Sequence, residues 1–299
     1  MSVIHIDELP AGWLGKTHAL QAGAASVDPS CEWLLFTDAD VVFAPDTLRR
    51  ALALAQRDHL DLMAAAPDIV TVSLAERIFI AFFSMIFALA VPPWRVNDPR
   101  SRAAVGVGAF NLVRRSTFRD VGGLSHIALS VDDDVRFAQA VKFAGYRCAL
   151  VSGTRALAVR WHVGMLGMIR GLEKNFFGAC DYRLVTALAG AAGFLMLGVL
   201  PFLGLLVGPW WMRLFCAIGI GAIALMIQGA RGLDGLAWYH ALGFPVASVA
   251  LIFALLRSTV LTYVRGGVRW RDHLYPLPLL RDHCRRRNAW LRELWLSTR

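Results

Sequence analysis

The chain holds two acidic clusters whose spacing suits work on a phosphate and on a hydroxyl. The first is Asp38-Ala39-Asp40, which ends the apolar run Trp33-Leu34-Leu35-Phe36. Along an extended backbone residues i and i+2 face the same way, so Asp38 and Asp40 can aim at one point past the strand end. Two hard oxygen ligands beside open solvent suit Mg²⁺ or Mn²⁺ carrying a diphosphate. The plainer alternative for an isolated D-x-D is an Asp-rich turn.

The second cluster is Asp132-Asp133-Asp134, followed by Phe137, Ala138 and Val141 on one helical face. The acids therefore open a helix. Capping is one reading, worth about 1 kcal/mol. Three acids exceed what a cap needs. A carboxylate at a helix N-terminus is held ionised at neutral pH, which suits a general base. Both readings stand on these residues alone.

Between the clusters lies Gly106-Val107-Gly108, then Arg114-Arg115. The glycines let a backbone approach a ligand closely. They do not form a dinucleotide fingerprint, since no third glycine opens a helix. The arginines could neutralise phosphates or be solvated. Near the start, Gly15-Lys16-Thr17 mimics the end of a Walker A loop, but Pro10 stands where the first glycine is required, so a P-loop is rejected. Lys16 at a helix start could still meet a phosphate. His162 is a candidate ligand whose plainer reading is an ordinary helix-entry histidine.

The elements that must position these residues read as alternating strands and helices over residues 1–180. Strands are expected at Val3–Ile6, Trp33–Phe36, Leu62–Ala66, Ala109–Val113, Cys148–Val151 and Ala156–Trp161. Helices are expected at Lys16–Gly23, Pro45–Gln56, Ser116–Val121 and Asp134–Ala144. The alternation predicts an α/β layered domain with a mostly parallel sheet. The apolar stretch near 74–93 is short for a span, and reads as an interfacial helix or a buried core helix.

Composition sets the other bound. Of 299 residues 57% are hydrophobic, too many for an ordinary soluble domain, so membrane segments are expected. They fall at 184–207, 212–230 and 238–256 within a helical region 184–264. The net charge is +9, and nine Arg against three acids lie between Arg265 and Arg299. A basic juxtamembrane tail over 265–299 beside apolar spans points to the cytoplasmic, anionic membrane face. Three spans would place that tail opposite the catalytic domain, so one segment is expected not to cross. No nucleic-acid motif accompanies the charge, and no nucleic-acid partner is expected. The five cysteines are scattered without a C-x-x-C pair, which fits a reducing compartment.

Taken in order, these pieces resemble the membrane-bound family 2 glycosyltransferases. They are Gly12-Trp13-Leu14-Gly15-Lys16, Asp38-Ala39-Asp40, Gly108-Ala109-Phe110, Val121-Gly122-Gly123, Asp133-Asp134-Val135 and Gly145-Tyr146-Arg147. Val96-Asn97-Asp98-Pro99, Arg170-Gly171 with Lys174-Asn175, and Arg265-Gly266-Gly267 with Trp270 look like the lipid-directed branch, which includes ceramide-glucosyltransferase-like, hopanoid-associated and carotenoid enzymes. The resemblance implies a GT-A-like domain over 1–180 and inverting transfer of a sugar from a nucleotide-diphosphate donor, expected to be a UDP-sugar, to a lipid hydroxyl. It implies Asp40 and Asp38 as ligands of Mg²⁺ or Mn²⁺, and Lys16 near the diphosphate. Asp134 becomes the general base, with Asp133 as fallback. Gly108, Arg170 and Lys174 are implied at the substrates. The expected place is a bacterial inner membrane, with the catalytic domain in the cytoplasm. Two departures accompany it. No [QR]-x-x-R-W segment follows the base at the family's distance. The family's opening strand–helix–strand unit is represented only by Val3–Ile6 and its loop, which implies truncation at the N-terminus. The alternative function is accordingly an inactive homologue that serves as a membrane scaffold or arises from a misplaced start.

Overall fold

The structure, a computed structural model, describes residues 2–229, 237–270 and 273–298. Residues 231–236 of the expected inter-span link, Ala230 at the end of the expected second span, and Arg271, Asp272 and Arg299 of the tail lie outside the described residues. In chain order the elements are α1 (Gly15–Ser26), β1 (Trp33–Phe36), β2 (Val41–Phe43), α2 (Thr47–Arg57), β3 (Leu62–Ala66), β4 (Asp68–Ile69) and α3 (Leu74–Ala90). Then come β5 (Asn111–Arg114), α4 (Arg115–Asp120), α5 (Asp133–Phe143), β6 (Cys148–Ser152) and β7 (Leu157–Val159). The remainder is α6 (Gly164–Glu173), α7 (Phe176–Ala179), α8 (Leu184–Gly198), α9 (Leu200–Val207), α10 (Trp210–Gly229), α11 (Phe244–Val264), β8 (Gly267–Trp270), β9 (His273–Pro276) and α12 (Leu277–Ser297). The chain divides into two compact units: Met1–Asp68 with Val91–Val159 and Pro278–Arg299, and Ile69–Ala90 with Arg160–Leu277.

The first unit is built on a four-stranded sheet in the order β1-β5-β3-β6. Only β3 and β6 run parallel; β5 is antiparallel to both β1 and β3. The mostly parallel sheet expected from the strand–helix alternation is therefore corrected to a mixed one. The reason lies in the segment before β5. The Asp38 amide donates to the Gly108 carbonyl at 2.9 Å, so the glycine strap reaches the sheet at the far end of β1 and the next strand must run back. A short antiparallel pair, β2 with β7, lies beyond the turn that carries Asp40. Val3–Ile6, expected as a strand, forms no ladder, and Val3, Ile4 and Ile6 are exposed.

Alternation along each strand loads both sheet faces with apolar side chains. On one face Leu34, Val113 and Leu62 pack with Phe118 of α4 and Phe137, Ala138 and Val141 of α5. On the other, Leu112, Met63 and Ala65 pack with Ala51 and Ala55 of α2. The last helix, α12, belongs to this unit. Its buried residues Leu280, Cys284, Arg287, Leu291 and Trp295 recur every three or four positions and form one face.

The second unit is helical apart from the β8–β9 hairpin. Phe79, Phe82, Phe244 and Leu251 are fully buried at its centre. Gly198 lets α8 approach α11 closely: a Cβ there would stand 2.4 Å from the Cβ of Ser248. Among the described residues two helical stretches are long and apolar enough to cross a membrane, Trp210–Gly229 and Trp238–Val264, with mean hydropathies of 1.8 and 1.9. The expected first span differs. It breaks into α8 and α9, bent by 42°. Pro201 enters the first turn of α9, where it donates no N–H and crowds the preceding turn, which is the usual cause of such a kink.

Candidate active site

Lys16 stands at the start of α1, and its Nζ lies 3.1 Å from Asp38 Oδ1 and 3.4 Å from Asp133 Oδ1. One ammonium thus bridges the two acidic clusters, which are about ninety-five residues apart in sequence. Thr17 fixes that position. It is fully buried, with its hydroxyl 2.6 Å from the carbonyl of Ala128 and 3.0 Å from that of Leu14. Its oxygen is occupied against backbone, which agrees with rejecting a P-loop, where the hydroxyl must face a metal.

The glycine strap closes the other side. The Gly108 amide donates to Asp134 Oδ2 at 2.8 Å, and the Val135 amide donates to Asp134 Oδ1 at 2.9 Å. A Cβ on Gly108 would sit 2.6 Å from Asp38 Oδ2 and 3.5 Å from Asp134 Oδ2. A Cβ on Gly106 would sit 1.8 Å from the backbone oxygen of Asp134. The close approach expected of these glycines is thus made to the acidic residues themselves. The Thr37 hydroxyl donates to the Ala109 carbonyl at 2.9 Å and holds the strap to the end of β1.

Electrostatically the site differs from the expectation of a carboxylate kept ionised by its helix. Burial and the Asp134 charge push Asp133 up to about 7, although Lys16 pulls against them. Burial likewise pushes Asp134 up, against Lys16 and the two amides that bind it. At a buried helix start, desolvation outweighs the dipole. Lys16 moves the other way: its own burial would lower it, but Asp133, Asp38 and Asp134 together hold it firmly protonated.

Asp40 lies two residues beyond Asp38 in the turn and is exposed. Among the described residues no group of three acid, His or Cys side chains forms a metal cage. One or two carboxylates open to water are the usual protein share for Mg²⁺ arriving with a substrate diphosphate, so Asp38 and Asp40 fit that ion better than a permanently caged one. Arg114 and Arg115 are engaged in bracing. Arg114 pairs with Glu32 and donates to the Leu60 carbonyl at 3.2 Å, while Arg115 donates to the carbonyls of Asp28 and Val27. They line a cleft of about 750 Å³ at the opposite end of β1 from Asp38.

Arg170 and Lys174 belong to the second unit, at the end of α6. Arg170 is exposed, and Lys174 Nζ lies 4.3 Å from the centre of the Trp270 ring. His162 packs against α6: a Cβ on Gly171 would stand 1.9 Å from its Nε2.

The model of glycosyl transferase family 21 matches residues 11–278. The chain belongs to this family. It is a glycosyltransferase. No curated protein matches the chain. The resemblance drawn from the motifs named family 2, through its ceramide-glucosyltransferase-like branch; the matching model is that of family 21, and the two agree on sugar transfer. Within this family 21 chain, sequence reasoning missed that the partner of Gly106 is the Asp134 backbone, Thr17 as a backbone clamp, and the contacts of α12 near the acidic residues. The G-x-G and G-K-T signals were visible, but their partners lie far along the chain.

Proposed function

We propose that this family 21 enzyme moves a sugar from a nucleotide-diphosphate donor, a UDP-sugar, to a lipid hydroxyl with inversion at the anomeric carbon. The observation that carries the reading is the convergence of Lys16, Asp38, Asp133 and Asp134 around Gly108. Asp134 accepts the proton of the acceptor hydroxyl. The new bond forms from that oxygen to the anomeric carbon as the bond to the diphosphate breaks on the opposite face. A base whose burial raises it above the ordinary carboxylate range suits this task. Lys16 faces the negative charge that gathers on the leaving diphosphate, and Asp133 helps keep Lys16 in place. Mg²⁺ or Mn²⁺ held by Asp38 and Asp40 would neutralise the same charge. In the second unit, Arg170 and Lys174 are assigned to the acceptor's polar end. The enzyme works at the cytoplasmic face of a bacterial inner membrane, supported by the two apolar helices and the Arg-rich C-terminal region.

Calorimetric titration of UDP into the purified full chain tests the site without requiring the acceptor. Binding should strengthen with Mg²⁺ or Mn²⁺ and weaken at least tenfold in Asp38→Ala and in Lys16→Ala. Equal affinity in wild type and both variants would contradict the assignment.

A further inference from the structure

The acidic residues Asp133 and Asp134 open α5, and the loop leading into that helix is gripped from outside the range matched by the family model. That range ends at residue 278, whereas α12 continues to Ser297 and packs within the first unit. Arg287 is buried at 2% exposure, and its Nη1 donates to the Ser130 hydroxyl at 3.1 Å. His283 Nε2 lies 3.3 Å from the same hydroxyl. Ser130 is itself buried, two residues before Asp132 and three before α5. Its amide donates to the Ile127 carbonyl at 2.8 Å, closing the turn that leads into the acids. One helical turn along α12, Trp290 stacks on His126, with ring centres 4.2 Å apart.

Packing alone does not ask for this arrangement. The α12 face is already supplied with Leu280, Leu291 and Trp295. An apolar residue at position 287 would complete it without the several kcal/mol that desolvating a guanidinium costs. Nε and Nη2 of Arg287 donate to Asn288 Oδ1 at 3.2 and 3.1 Å, which orients the planar guanidinium and aims Nη1 at the serine hydroxyl, an arrangement that makes sense where the backbone around that serine must be held closely.

We propose that α12 is part of the active-site framework, with Arg287 a positioning residue that holds, through Ser130, the loop presenting Asp133 and Asp134. The proposal rests on the role given to those acids above. It predicts that loosening the contact lowers turnover more than donor binding, because Lys16 keeps its shorter ion pair with Asp38 even when Asp133 shifts.

The test uses the purified full-length chain and compares Arg287→Gln, Arg287→Lys, Ser130→Ala, the exposed control Arg286→Gln, and Asp134→Asn. Steady-state kinetics should show kcat falling ten- to a hundredfold in Arg287→Gln and at least fivefold in Ser130→Ala, with donor KM within about twofold of wild type. Arg287→Lys should recover part of the loss, and Arg286→Gln should match wild type. Amide exchange should rise in the peptide spanning 129–135 and stay unchanged in α2. Wild-type kcat in Ser130→Ala and Arg287→Gln beside an inactive Asp134→Asn would overturn the positioning role alone. Full turnover in Asp134→Asn would overturn the reading on which it rests.

Discussion

Gly106 and Gly108 look equivalent in sequence and are not equivalent in space. An added Cβ at Gly106 runs into the backbone oxygen of Asp134, which cannot move without disturbing the start of α5. An added Cβ at Gly108 meets a carboxylate oxygen of Asp38, the end of a side chain that can rotate. Gly106→Ala should therefore cost about 3 kcal/mol of stability, at the upper end for overpacking, whereas Gly108→Ala should cost about 1 kcal/mol but displace Asp38. Thermal unfolding with UDP titration separates them: a large loss of melting temperature in the first, a loss of nucleotide affinity in the second. The acid clusters themselves were legible, because two carboxylates on one side of a strand end, and acids at a helix start, are patterns of residue type and spacing. The direction of their titration was not. A helix N-terminus read from sequence promises an ionised carboxylate, while the burial that pushes Asp133 and Asp134 up exists only once the strap and α1 close over them.

At the scale of elements, α1 illustrates how a site is positioned from a distance. It carries Lys16, and Thr17 ties it to the carbonyl of Ala128, in the segment that leads to the second acid cluster. Thr17→Val keeps the shape and removes the hydroxyl, leaving a buried carbonyl without that donor. The expected cost is about 1–2 kcal/mol, with weaker UDP binding as Lys16 loosens, measured by denaturant unfolding and calorimetry. Strands such as Trp33–Phe36 and Leu62–Ala66 could be read in advance because they are continuously apolar. Val3–Ile6 has the same local pattern but finds no partner strand, and pairing is decided by the rest of the fold. The reversal of β5 depends on where the strap enters the sheet. The role of α12 was hidden because its buried face includes His283 and Arg287, polar residues that interrupt the apolar periodicity.

For the whole molecule, the first unit constrains how the chain treats a membrane. Val91–Val159 and Pro278–Arg299 fold into one unit, so a bilayer crossed between them is crossed an even number of times. If Trp210–Gly229 and Trp238–Val264, which are long and apolar enough, both cross, an even count requires the bent α8–α9 pair to enter and leave by the same face. We propose this two-crossing topology, which would keep the basic C-terminal region on the same side as the first unit. With all native cysteines replaced, Trp238→Cys should react with an impermeant maleimide added outside intact cells, and Gly208→Cys only after permeabilisation; labelling of Gly208→Cys from outside would contradict the two-crossing topology. The central claim concerns the chemistry that this unit supports. Its most direct test is the pH dependence of UDP-sugar transfer to lipid by the purified chain, with Asp134→Asn alongside. A base that must be ionised, and that burial raises, makes activity fall as pH drops while still above the ordinary carboxylate range near 4. The account predicts an acid limb displaced above the ordinary carboxylate range and a loss of at least a hundredfold in kcat for Asp134→Asn. A limb near pH 4, or wild-type turnover in that variant, would contradict it.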